Sequence, residues 1–90
     1  MKVKDILTDE SRWCKEHCAY DAFGMVVSPE DEKAVKWCLL GALTAAGLWR
    51  TPENNRLTKA INERFGLAVS IWNDKATFPE VRALIEELDI

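Results

Sequence analysis

Ninety residues, 48% hydrophobic and 30% charged, make one globular domain that buries roughly 60–65% of the surface its unfolded chain exposes. That composition is too apolar for a disordered tail, and a net charge of −3 gives no global attraction to nucleic acid or to an anionic membrane surface. The longest apolar run, Trp37 to Trp49, is broken only by Thr44 and is too short to cross a bilayer, so no membrane partner is expected. The start of the chain carries no secretory signal. Three cysteines, an odd number, then argue for a cytoplasmic protein with free thiols.

In chain order, Val3, Ile6 and Leu7 form a short turn, and Asp9 to Tyr20 reads as a helix closed by Gly24. Ser28-Pro29-Glu30-Asp31 has the make-up of a helix start, with a serine acceptor, a proline at the first position and acids facing the dipole. The helix it opens should run to about Ala46, with Gly47 as its stop. It is apolar nearly all round, which places it at the centre. Its small residues Ala34, Cys38, Gly41, Ala42 and Ala45 would let a second helix approach closely.

Thr51-Pro52-Glu53-Asn54 repeats the start signal, Leu57, Ala60, Ile61, Arg64 and Phe65 recur at helical spacing, and Gly66 ends that helix. The stretch "LAVSIWNDKA" before Thr77 reads as a connecting loop. Thr77 and Glu80 have capping-box spacing, with Val81, Leu84, Ile85 and Leu88 as an apolar stripe behind them. The expected fold is therefore all-α: a compact bundle of four to five helices around a central small-residue apolar helix, with residues 1–90 as a single helical domain.

The fragment "WCKEHC" concentrates the reactive side chains. On a helix, Cys14, His17 and Cys18 share one face, and with Cys38 they would supply three thiolates and one imidazole, a zinc-binding composition. Drawing three ligands from one helical turn makes a tetrahedron difficult, so small cysteines packing inward is the preferred reading and no cofactor is expected. No phosphate-binding glycine loop, H-E-x-x-H or G-x-S-x-G occurs, and no oxyanion hole is recognisable beside a cysteine. A non-enzymatic protein is expected.

Three fragments, "AVKWCLLGALTAAG" (34–47), "WNDKAT" (72–77) and "EVRALIEEL" (80–88), together resemble a family of small bacterial and phage-borne proteins known as a domain of unknown function. The matching positions are Trp37, Cys38, Gly41, Ala42 and Leu43, then Trp72, Asn73 and Asp74, then Thr77, Glu80 and Val81, with Trp13 and Gly24 as counterparts near the start. The resemblance carries no activity with it. It implies a mainly structural role for these positions, leaves His17 and Cys18 outside the motif, and sets a phage-type accessory or inhibitor as one expectation.

Four tryptophans, Trp13, Trp37, Trp49 and Trp72, and the small size favour macromolecular interaction, with another protein or by self-association. Trp72, Asn73 and Asp74 could form an exposed recognition loop. Turn chemistry, with Trp72 in the core and the polar pair bonding to backbone, is the stronger account of them. Two alternatives stand behind this one: a small structural zinc domain, and nucleic-acid binding by the 52–65 helix through Asn54, Asn55, Arg56, Lys59, Asn62 and Arg64. The acidic balance makes the nucleic-acid reading the weaker.

Overall fold

Helix punctuation is obeyed in the second half of the chain and overridden in the first. A computed structural model describes residues 1–90. Its elements are α1 (Val3–Ile6), a 3-10 turn (Glu10–Arg12), β1 (Ala19–Asp21), β2 (Ala34–Trp37), α2 (Leu39–Ala45), α3 (Pro52–Phe65), α4 (Val69–Lys75) and α5 (Phe78–Leu88). The fold is mixed α/β, not all-α: the five helices are joined by a two-stranded antiparallel sheet.

The Ser28 start signal makes turns instead of a helix. Ser28 Oγ accepts from Glu30 N–H and Asp31 Oδ1 from Lys33 N–H, side-chain bonds that offer the backbone an alternative to the helical ladder. Ala34 to Trp37 then pairs with β1 in the register Ala19–Trp37, Tyr20–Lys36 and Asp21–Ala34. Only at Cys38 does the central helix begin, so it is much shorter than its apolar pattern suggests. Gly47, at φ 75°, ends it as expected, with Leu48 N–H returning to the Leu43 carbonyl.

The predicted 9–20 helix is also absent. Asp9 caps a single 3-10 turn, and the chain then runs irregularly into β1, because Cys14 N–H bonds the Trp37 carbonyl at 3.1 Å. Gly24, at φ 79°, turns the chain after a strand and not after a helix, with Asp21 Oδ1 accepting from both Phe23 and Met25 N–H. In the other direction, the predicted loop before Thr77 contains α4. The expected α3 and α5 stand as read: Gly66 closes α3 at φ 66°, and Thr77 and Glu80 exchange capping bonds at the start of α5.

Gly41 does serve close approach, but of a different partner. A Cβ there would lie 2.0 Å from the Cys18 carbonyl oxygen, so the glycine admits the backbone entering β1 and not a second helix.

One hydrophobic core draws on all five helices, with Leu7, Leu39, Leu43, Leu57, Ile61 and Ile85 fully enclosed. No helix is long and apolar enough to cross a membrane. The two chain ends are latched together across this core. Arg82 on α5 donates to the Lys4 and Leu7 carbonyls at 2.7 and 3.2 Å, satisfying acceptors left over at the end of α1. Asp89, at φ 54°, turns the chain so that Ile90 enters the core, and its carboxylate receives Lys2 and Lys4 at 2.8 and 2.6 Å.

Those two ammonium groups hold the Asp89 carboxyl at about 2, below its ordinary 3.8. A depressed folded-state value contributes stability above the unfolded value and loses it as pH falls through the folded one. The latch should therefore weaken only between about 3.8 and about 2. A carboxyl NMR titration should give about 2 for Asp89, rising toward 3.8 when Lys2 and Lys4 are both replaced by Met. An unshifted value in the unaltered chain would show that the latch does not form.

Candidate functional site

The start of α2 poses a hydrogen-bonding problem, since the first N–H groups of any helix have no intrahelical acceptor. Cys38 Sγ accepts from Gly41 N–H at 3.3 Å, but Leu39 N–H is buried and needs its own partner. Asn73 of α4 supplies it. Its Oδ1 accepts from Leu39 N–H at 3.1 Å and from Trp13 Nε1 at 2.8 Å, while its Nδ2 donates to the Cys14 carbonyl at 3.0 Å. Asn73 is 1% exposed, the only polar residue in the buried set.

The neighbours of Asn73 point elsewhere. Trp72, 5% exposed, enters the core and stacks on Phe65 with ring centroids 5.0 Å apart. Asp74 Oδ1 accepts from Glu16 N–H at 2.8 Å, anchoring a residue whose φ of 75° marks a tight reversal. Asn73 and Asp74 thus make no local turn: they sit on α4 and bond groups distant in sequence.

Beside Asn73 lies a cleft of about 180 Å³ lined by Glu16, His17, Cys18, Cys38, Leu40, Ser70, Asn73 and Asp74. It brings His17, Cys18 and Cys38 together with two of the three tripeptide residues. Cys14 and Trp72 do not line it. With the 9–20 helix absent, the shared helical face of Cys14, His17 and Cys18 does not exist. No group of three or more His, Cys, Asp or Glu side chains is arranged to hold a metal ion. Cys14 instead donates its thiol to the His17 carbonyl at 3.4 Å.

Burial pushes the Cys14 thiol up to about 12, with the neighbouring Cys38 and Cys18 adding to it. Burial likewise pushes Cys38 up to about 11, partly offset by the bond from Gly41 N–H. Both keep their protons at neutral pH, an environment opposite to that of a catalytic thiolate. Cys18 is the exposed member of the set.

The motif positions have traceable structural uses. Trp13 donates to Asn73, and Trp37 Nε1 donates to the Pro29 carbonyl at 3.0 Å. Ala42, Leu43 and Val81 are fully buried, and Thr77 with Glu80 caps α5. On α3, Arg56 is committed to the Leu88 carbonyl and Arg64 to Glu87, while Lys59 faces Glu63 at 4.0 Å. Little free positive charge is left on that helix for phosphates.

A second surface went unread in the sequence. At the turn beyond β1, Phe23 is 89%, Met25 64% and Val26 56% exposed, and Phe23 shares a shallow groove with Ala22 and Val35 of β2. The signal was available in "AFGMVV", an apolar run interrupted by a glycine. Among the tryptophans Trp49 is half exposed, Trp13 and Trp37 are partly buried, and Trp72 is buried.

Comparison with family models, with curated proteins and with solved structures finds no match for this chain.

Replacing Asn73 by Ala strands two backbone groups and an indole N–H, and each buried unsatisfied group costs about 1–3 kcal/mol. Urea unfolding should show a loss of about 3 kcal/mol or more for Asn73→Ala, against about 1 kcal/mol for the exposed Asp74→Ala. Equal, small losses would remove Asn73 from its structural role.

Proposed function

We propose that this chain is a non-enzymatic interaction protein that binds another protein through the apolar surface at the tip of its β arm. The observation that carries the reading is the exposure of Phe23, Met25 and Val26 on a turn that the rest of the fold holds in place. The three are near neighbours in the chain, and apolar patches left in water on a small domain mark contact surfaces, where aromatic and methionine side chains are enriched. The two short strands beneath present a firm platform, since Asp21 fixes the turn by bonds to Phe23 and Met25 N–H.

Trp72 is core and the Trp13 indole N–H is spent on Asn73, so recognition passes from these two tryptophans, and from the Trp72-Asn73-Asp74 segment, to Phe23 and its neighbours, which are more exposed than Trp49. Such a surface suits the accessory or inhibitor role that the motif resemblance raised, in which a small protein occupies a site on a larger complex.

A photo-crosslinking residue placed at Phe23 in cells should give discrete protein adducts, while the same residue at Lys59 on the polar face of α3 should give none. Adducts at twice the chain mass would identify self-association. No protein adduct at Phe23 would overturn the reading. Because Phe23 is so exposed, Phe23→Asp should abolish the adducts formed by a crosslinker at Met25 while changing unfolding free energy by less than about 0.5 kcal/mol.

A further inference from the structure

Two of the three cysteines sit one residue beyond the same end of the sheet, Cys18 before β1 and Cys38 after β2. Continuing the β1–β2 register beyond Ala19–Trp37 brings Cys18 opposite Cys38, and Cys38 N–H donates to the Cys18 carbonyl at 3.1 Å. Directly opposed antiparallel residues have Cα atoms roughly 4.5–5.5 Å apart and project side chains to the same side of the sheet. That separation lies inside the roughly 4.4–6.8 Å window a disulfide requires. Both residues line the same cleft of about 180 Å³, which gives the two sulfurs a common space.

We infer that Cys18 and Cys38 are a reversible redox pair, closed to an intramolecular disulfide by a low-molecular-weight disulfide of the glutathione class. Cys18 is exposed and meets the reagent first, whereas Cys38 is buried behind it. The Cys18 thiolate attacks one sulfur of the reagent, its S–S bond breaks, and one thiolate leaves. Cys38 then gives up its proton and attacks the Cys18 sulfur of the mixed disulfide, forming the Cys18–Cys38 bond and expelling the second thiolate. Two protein thiols are oxidised, one small disulfide is reduced to two thiols, and the two protons lost by the protein end on them.

All three thiols lie within electrostatic reach of one another, so it is the direction of Cys14 that leaves this pair. Cys14 does not line the cleft, and its thiol is turned to the His17 carbonyl. The new bond would lie across the root of the β arm, closing the 18–38 loop that carries Phe23 and Met25. The inference does not depend on that arm binding a partner.

The sequence makes the test direct, because Lys15, Lys33 and Lys36 separate the three cysteines into different tryptic peptides. The full chain would be incubated with oxidised glutathione, blocked with an alkylating agent, and mapped by mass spectrometry. The expected product is a chain lighter by two hydrogens, with the Glu16–Lys33 peptide joined to Trp37–Arg50, fully reversed by dithiothreitol. Cys38→Ser should instead retain one glutathione on Cys18, and Cys18→Ser should retain the free Cys38 thiol. The mapping of the unaltered chain stands even if the Cys38 variant unfolds. A stable glutathione adduct on Cys18 of the unaltered chain, a link through Cys14, or a link between two chains would each overturn the pairing.

Discussion

A single buried amide ties the Trp13–Cys14 segment and the start of α2 to α4. Residues 13–18, between the 3-10 turn and β1, have no regular structure of their own to fix them, and α2 starts with an N–H that nothing in its own helix can satisfy. Asn73 meets both needs at once, joining Trp13, Cys14 and Leu39 from its place on α4. A side chain with two acceptor sites and two donor hydrogens is suited to this, since a carboxylate would lack the donor and a leucine would lack everything. The cost of burying the amide is offset only when these partners are all present, and that condition makes the arrangement specific.

What surrounds the amide follows from it. With Cys14 and Leu39 held, the chain crosses from Trp37 into α2 close beside Cys18, and only glycine at position 41 leaves room for the Cys18 carbonyl. The cleft beside Asn73 is the space left where α4, the start of α2 and the Glu16–Cys18 segment converge. The same convergence sets the two thiols in register. On the far side of the sheet, Asp21 directs the turn outward, and Phe23 and Met25 are left in water.

The legible parts of the sequence are those governed by local chemistry. Pro52 with Gly66, and Thr77 with Glu80, specify α3 and α5 within a few residues, because they act on the backbone beside them, whereas the Thr51 hydroxyl turns back to the Leu48 carbonyl and does not cap α3. The illegible parts are governed by partners distant in the chain. Ser28-Pro29 carries the same start signal but is captured by turns, and Val35 and Trp37, which fit a helical stripe, fit a strand equally well once β1 lies alongside. Cysteine is a rare N-cap, so Cys38 gave no mark of the true helix start. Asn73 and Asp74 read as turn residues because their preference for bonding backbone is visible in sequence, while the identity of that backbone is not. Phe23, Met25 and Val26 were hidden by the opposite effect, since nothing local separates an apolar run in the core from one on a surface.

The amide of Leu39 tests this account most directly. As the first residue of α2 it has no helical acceptor, so its protection from solvent exchange depends on Asn73 Oδ1 alone. Hydrogen exchange followed by NMR should find the Leu39 N–H among the slowest in the protein, opening with the free energy of global unfolding. Exchange at the rate of an exposed helix N-terminus would mean that Asn73 does not join these segments, and the fold would need another explanation for the order of its first half.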